Sequence, residues 1–186
     1  WRAQRQADKI FQNPSASPPQ QLQRVVDLLN QFTQKYPKNI LAPEAGFNIA
    51  RLYLVKEEFQ KAREQLRSLI SKYNKSQIIV SEALFLLGNS YEKQDKWNLA
   101  LQEYKQIIQQ YPLTLRGLDI PIYIAKHYKV KYQPDKMIES FQEAIAHYKA
   151  LSAKYPNTPL AFNSETLAAQ CYLAIKEWQA AINIFN

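Results

Sequence analysis

The sequence predicts an all-α fold, a solenoid of antiparallel helix pairs, from three observations. A tyrosine recurs where every second helix reads as ending. The marks are Tyr36-Pro37, Tyr73-Asn74, Tyr111-Pro112 and Tyr155-Pro156, at intervals of 37, 38 and 44 residues. Between them one phrase repeats. Glu44-Ala45, Ala50, Tyr53, Phe59 and Ala62 return 38 residues later as Glu82-Ala83, Gly88, Tyr91, Trp97 and Ala100, and Ala169, Tyr172, Trp178 and Ala181 keep the inner spacings. The third observation is composition: Gln, Lys, Leu, Ala and Ile dominate, glycines number three, and the ten prolines fall almost entirely between helical stretches. Good helix formers punctuated at this period describe stacked supersecondary units that bury a core only against their neighbours. A chain of 186 residues holds about five of them.

Each element follows in order. Residues 1–12 can be helical, and the segment from Asn13 to Pro19, rich in proline and serine, breaks them off in a loop. Residues 1–19 therefore read as a degraded first helix, and residues 20–186 as the solenoid. Val25, Leu28, Leu29, Phe32 and Tyr36 place a second-type helix at 20–36. Residues 43–56 open with Pro43, suited to a first helical turn, and Glu44, which complements the helix dipole. Their stripe is Ala45, Ile49, Ala50 and Tyr53; that of residues 59–73 is Phe59, Ala62, Leu66, Leu69, Ile70 and Tyr73. The turn from Val55 to Glu58 is short, which makes the two helices antiparallel neighbours. Residues 80–94 and 97–111 repeat the pair, with Ser81 as the expected cap.

The later units are less regular. Ile122, Ile124, Ala125 and Tyr128 fit a first helix that contains Pro121, and Pro134 marks the following turn. The next helix, about 135–155, passes Tyr148 and runs seven residues further to Tyr155. Two extra turns lengthen the rod by ~10 Å, as a tolerated elongation or as a ridge for a partner. The units are thus expected near 43–76, 81–114, 118–156 and 162–186. The last stops before its closing tyrosine, and the chain opens on Trp1 without methionine, so it reads as a piece of a longer array. Ile182, Ile184 and Phe185 are expected to be short of cover.

Charge and chemistry narrow the function classes. The net charge of +8 suits a solvated lysine-rich surface, or an acidic partner such as an anionic membrane, an acidic peptide or nucleic acid. The basic residues are spread along the helices, and Lys126, His127, Lys129 and Lys131 form the densest cluster. No basic–aromatic stripe lies along one helix, so nucleic acid is not the expected partner. No apolar run reaches the ~18 residues of a membrane span. Cys171 is the only cysteine, which excludes an internal disulfide, and its place beside Tyr172 reads as a buried, inert thiol. His127 and His147 have no metal-ligand residue three or four positions further on and are expected on the surface. Asn74-Lys75-Ser76 fits a glycosylation sequon, a three-residue match common by chance. There is no nucleophile elbow or glycine-rich loop. No catalysis, metal or cofactor is expected.

The repeat resembles the tetratricopeptide repeat. The matching features are a small residue three before a tyrosine, an aromatic six after it, an alanine nine after it, and a closing proline. The Tyr-Pro endings and Glu-Ala openings at 37–38 residues are similar to bacterial envelope members, namely outer-membrane assembly lipoproteins and periplasmic cell-division coordinators. Asn74 in place of proline, Pro121 within a helix, and the lack of a lipidated cysteine at the start depart from that pattern.

The resemblance implies a right-handed superhelix with first helices on the concave face. It makes Phe47, Phe85 and Ile122 a ladder, flanked by Arg51, Asn89 and Lys126, then by Leu54, Glu92 and Lys129. An exposed apolar ladder with basic neighbours suits an acidic or amphipathic peptide or helix, Arg51 and Lys126 orienting its carboxylates; the alternative is that the aromatics are core. The expected function is a non-enzymatic scaffold binding a partner in this groove. Self-assembly through the exposed end is the second expectation. A periplasmic or membrane-associated envelope location is expected, with membrane association through a segment outside this chain, and the cytoplasm as alternative.

Overall fold

A computed structural model describes residues 2–13 and 18–185. Trp1 and residues 14–17 of the expected proline-rich loop lie outside the described residues. The described residues form α1 (Arg2–Gln12), α2 (Pro19–Lys35), α3 (Ala42–Val55), α4 (Phe59–Lys72), α5 (Gln77–Glu92), α6 (Trp97–Gln110), α7 (Leu115–Val130), α8 (Pro134–Lys154), α9 (Pro159–Ala174) and α10 (Trp178–Ile182), with no strand among them. The chain divides into two compact units, residues 1–106 and 107–186.

Within the first unit α1 packs on α2, α2 on α3, α3 on α4 and α4 on α5, and α1 also reaches α3. Its core joins Ala7 and Ile10 of α1 to Val25, Val26 and Leu29 of α2 and to Ala45, Ile49 and Leu52 of α3. The degraded first helix is therefore a packing partner, although it lacks the repeat's signature. In the second unit α7 packs on α8, α8 on α9, and α9 on α10. Its core gathers Ile122, Ala125, Phe141, Ala144, Tyr148 and Cys171. Ile184 packs against this cluster, contrary to the expectation that it lacks cover, while Ile182 and Phe185 are exposed.

The repeat tyrosine has a backbone role that its apolar spacing does not reveal. The N–H groups of Glu58, Lys96, Gln133 and Glu177 donate to the carbonyls of Tyr53, Tyr91, Tyr128 and Tyr172, at 2.9, 3.0, 3.0 and 2.9 Å. One residue earlier, the N–H groups of Glu57, Asp95, Tyr132 and Lys176 donate to the carbonyls of Leu54, Glu92, Lys129 and Leu173. This double bond pattern is a Schellman motif, which satisfies the carbonyls a helix end leaves open. It requires a left-handed residue, and the four φ values are 59, 55, 54 and 66°. Glycine is the usual occupant, since a side chain there costs about 1–2 kcal/mol. The chain turns each pair without one.

Two expectations are corrected, the start of α5 and the exposure of His147, while Pro121 lies within a helix as expected. Helix α5 starts before residue 80 because Ser76, whose Oγ accepts from the Ile79 N–H at 3.4 Å, is the cap; Ser81 is buried inside the helix and bonds back to the Ile78 carbonyl. Helix α7 continues through the buried Pro121, which leaves the Gly117 carbonyl without its intrahelical donor. His147 is half-buried, packed on Tyr148, with Nε2 buried and unpartnered; burial lowers its pKa, favouring the neutral ring. The two added turns of α8 are partly packed: Leu151 is buried, while Lys149 and Lys154 face solvent.

The small residues set how closely the helices of a pair approach. A Cβ at Gly88 would lie 2.3 Å from Cε1 of Tyr104, whose ring is fully buried and whose hydroxyl donates to Glu92 Oε2 at 3.0 Å. A Cβ at Gly46 would lie 2.7 Å from Cδ2, the end of the Leu69 side chain, and 3.3 Å from Leu69 Cγ and Gln65 Nε2. In urea denaturation, Gly88→Ala is expected to cost about 2 kcal/mol or more through overpacking. Gly46→Ala is expected to stay within about 1 kcal/mol of neutral, because helix propensity offsets a clash that one side-chain tip can relieve. Equal losses would contradict this ranking. A second prediction concerns Cys171, which is fully buried and whose thiol burial pushes up to about 12. An aromatic disulfide reagent should label it on the order of a hundredfold or more slower in the native protein than in urea; comparable rates would show an accessible thiol.

Candidate functional site

The face built by the first helices of the first unit is polar, and its groups are joined. Arg51 of α3 donates from Nη1 to Glu44 Oε1 at 3.1 Å and from Nη2 to Glu82 Oε1 of α5 at 3.3 Å. It also reaches Asn48 Oδ1 at 3.2 Å, and the Asn48 amide donates to Gln4 Oε1 of α1 at 2.7 Å. One continuous line of side chains thus crosses α1, α3 and α5. The Arg51 guanidinium lies 5.8 Å from the Phe47 ring centroid, over its face. Helical spacing produces the line: Glu44 and Arg51 are seven residues apart, two turns along one face, and Glu82 is the residue that Glu44 becomes one repeat later.

The structure corrects the expected exposure of the ladder. Phe47 is 5% exposed, Leu54 6% and Ile122 7%; Phe85 is half-buried, its ring centroid 6.0 Å from that of Tyr104. The chain's own packing covers this stripe, Phe85 lying against Tyr104 of α6. Asn89 is half-buried on α5. Arg51 already faces two carboxylates, which corrects the expectation that it is a cation held ready for a partner's acid. On α7 of the second unit, Lys126 and Lys129 are exposed, with Ile122 turned into the core beside Phe141 and Tyr148.

Gln4 and Asn48 are the site residues that periodicity did not single out. Glu44 and Glu82 belong to the repeated phrase, but their spacing does not show that both pair with Arg51. A second polar cluster lies between α4 and α5. The buried Arg63 sits 4.8 Å from the Tyr91 ring centroid and donates to Gln94 Oε1 at 3.0 Å, and Arg67 donates to the Tyr91 hydroxyl at 3.2 Å. This cluster bolts one pair to the next. Burial raises the pKa of Glu103, a rise that Arg67 opposes.

Among the described residues no group of three or more His, Cys, Asp and Glu side chains could hold a metal ion, and no helix is long and apolar enough to cross a membrane. The polar face can donate and accept hydrogen bonds and present charge of both signs.

Known proteins share the helix-pair architecture. No curated protein matches the chain in sequence. Among solved structures, a Podospora anserina protein described as a kinesin light chain with nearly identical TPR-like repeats is 19% identical, with a TM-score of 0.53 over 99% of this chain and 92% of its own. BtubC (BKLC) from P. vanneervenii is 13% identical, with a TM-score of 0.50 over 98% of this chain and 85% of its own. At such identities the likeness shows the fold alone. In sequence, residues 44–76 and 82–114 match the tetratricopeptide repeat family, and these are the two segments that carry the fullest copies of the spaced tyrosine phrase.

Proposed function

We propose that this chain is a non-enzymatic protein-interaction scaffold whose first-helix face in residues 1–106 receives a peptide or helix from a partner. The observation that carries the reading is the joined line Gln4–Asn48–Arg51–Glu82 beside the half-buried Phe85 and Asn89. Polar groups fixed to one another before binding lose little freedom on binding. Arg51, Glu44 and Glu82 together sum to one negative charge. An amphipathic partner with charges of both signs therefore suits this face better than a wholly acidic one. The Asn89 amide can donate to and accept from a peptide backbone, and Phe85 offers a partly open apolar surface. Phe47 and Leu54 support the face from within. Tetratricopeptide repeats typically serve as protein-binding scaffolds, which agrees with this reading.

Placement in the bacterial envelope, periplasmic or at a membrane, belongs to the same proposal and rests on the Tyr-Pro endings at 37–38-residue spacing. A second reading, self-assembly, draws on the exposed Trp178, Ile182 and Phe185 of the second unit.

A displayed peptide library selected on the immobilised chain tests the scaffold. Selected peptides are expected to lose about tenfold or more in affinity for Asn89→Ala and for Phe85→Ala. They should bind normally to Lys105→Ala, at an exposed site on α6. Thermal unfolding of each variant separates lost binding from lost fold. Peptides that bind the Asn89 and Phe85 variants as well as the parent would overturn the assignment of this face.

A further inference from the structure

The two turns that close the helix pairs of the second unit lie at one edge, because α7, α8 and α9 run alternately up and down. On this edge Val130 is 73% and Tyr132 92% exposed, and Leu173 and Trp178 are also exposed. Lys129, Lys131 and Lys176 stand among them, all facing solvent; the acids at the same turns are Asp135 and Glu177. The first unit's corresponding turns carry Glu57 and Asp95 at the left-handed position, and Leu99 is the large apolar residue exposed beside them. The two edges share a backbone and differ in chemistry.

Tyr132 sharpens the contrast. It holds φ at 54°, where a bulky side chain is rare and glycine would relieve strain. Its ring neither packs in the core nor covers a neighbour, so folding gains nothing evident from an aromatic residue there. A protruding tip of tyrosine and valine between lysines is chemically matched to a bilayer interface. Tyrosine and tryptophan settle at headgroup depth, aliphatic side chains reach past it, and lysines meet anionic phosphates. A convex turn tip suits a flat surface, whereas a peptide needs walls on either side.

We infer that the edge formed by Val130, Tyr132, Lys129 and Lys131, extended by Leu173 and Lys176, docks onto an anionic lipid bilayer. The contact is peripheral: side chains enter the interface and no helix crosses it. It is independent of the peptide-binding face, which lies on residues 1–106.

Cosedimentation of the full chain with vesicles tests this. The parent should bind vesicles of phosphatidylcholine with phosphatidylglycerol, bind pure phosphatidylcholine vesicles weakly, and release as salt rises. Lys129→Gln with Lys131→Gln should weaken binding about tenfold or more. Tyr132→Gly is the decisive variant, since it should raise the thermal midpoint by relieving the backbone and yet bind vesicles several-fold less. Lys93→Gln with Lys96→Gln, at the first unit's edge, should change little. An equal loss at Lys93 and Lys96 would reduce the effect to the net charge and overturn the site. So would unchanged binding by Tyr132→Gly, or capture of a soluble polyglutamate through Lys129 and Lys131 without capture of anionic vesicles.

Discussion

The close approach of the two helices in each pair is the constraint on which the rest depends. A helix of 14 or 16 residues is marginal alone and gains its stability from an apolar face pressed against another. In the second repeat that approach is set where the fully buried Tyr104 ring fills the space left by Gly88. The Tyr104 hydroxyl, which would otherwise be an unpaired polar group in the core, reaches Glu92 on the same first helix. Tyr148 applies the same solution in the second unit, its hydroxyl donating to the Leu118 carbonyl. In the α5–α6 and α7–α8 pairs a fully buried ring with one hydrogen bond at its tip fills the space between the helices, and in the α3–α4 pair Leu66 stands in the ring's place. The Schellman turn then fixes where the second helix begins.

Once the approach is fixed, the two sides of a pair separate in chemistry. Apolar groups are used up between helices, so Phe47 and Leu54 point into packing and leave the first-helix face to polar groups. Those groups satisfy each other across α1, α3 and α5 through Asn48 and Arg51. Exposed ion pairs of this kind stabilise by about 0–1 kcal/mol, so the line orders the face more than it holds the fold together. Arg63 is buried and, with the half-buried Tyr91, joins α4 to α5. The two arginine clusters differ in burial, and that difference separates surface from structure.

Periodicity made the central helices legible: the small-residue and tyrosine beat predicts α3 to α6 with boundaries within a few residues, while α1 carries no such beat. It failed where a local bond overrides pattern. Ser76 and Ser81 are both fit to cap, and only the chain's path shows that Ser76 does so. Spacing tells which face Phe47 occupies, while tertiary packing decides that this face is covered. Arg51 looked like a free cation because its partners lie 7 and 31 residues away, beyond any local window. The left-handed turn residues were hidden because Glu57, Tyr132 and Lys176 are not the residues that such a turn ordinarily selects.

A steric double-mutant cycle between Gly88 and Tyr104 tests the central constraint most directly. Stability to urea would be measured for Gly88→Ala, Tyr104→Leu and the double variant. If helix approach is limited by contact between position 88 and the ring, the smaller side chain makes room for the added methyl. The double variant is then less destabilised than the sum of the two single changes, with a coupling of about 1 kcal/mol or more. Strict additivity would show that the two residues act separately, and would contradict the account of how these helix pairs close.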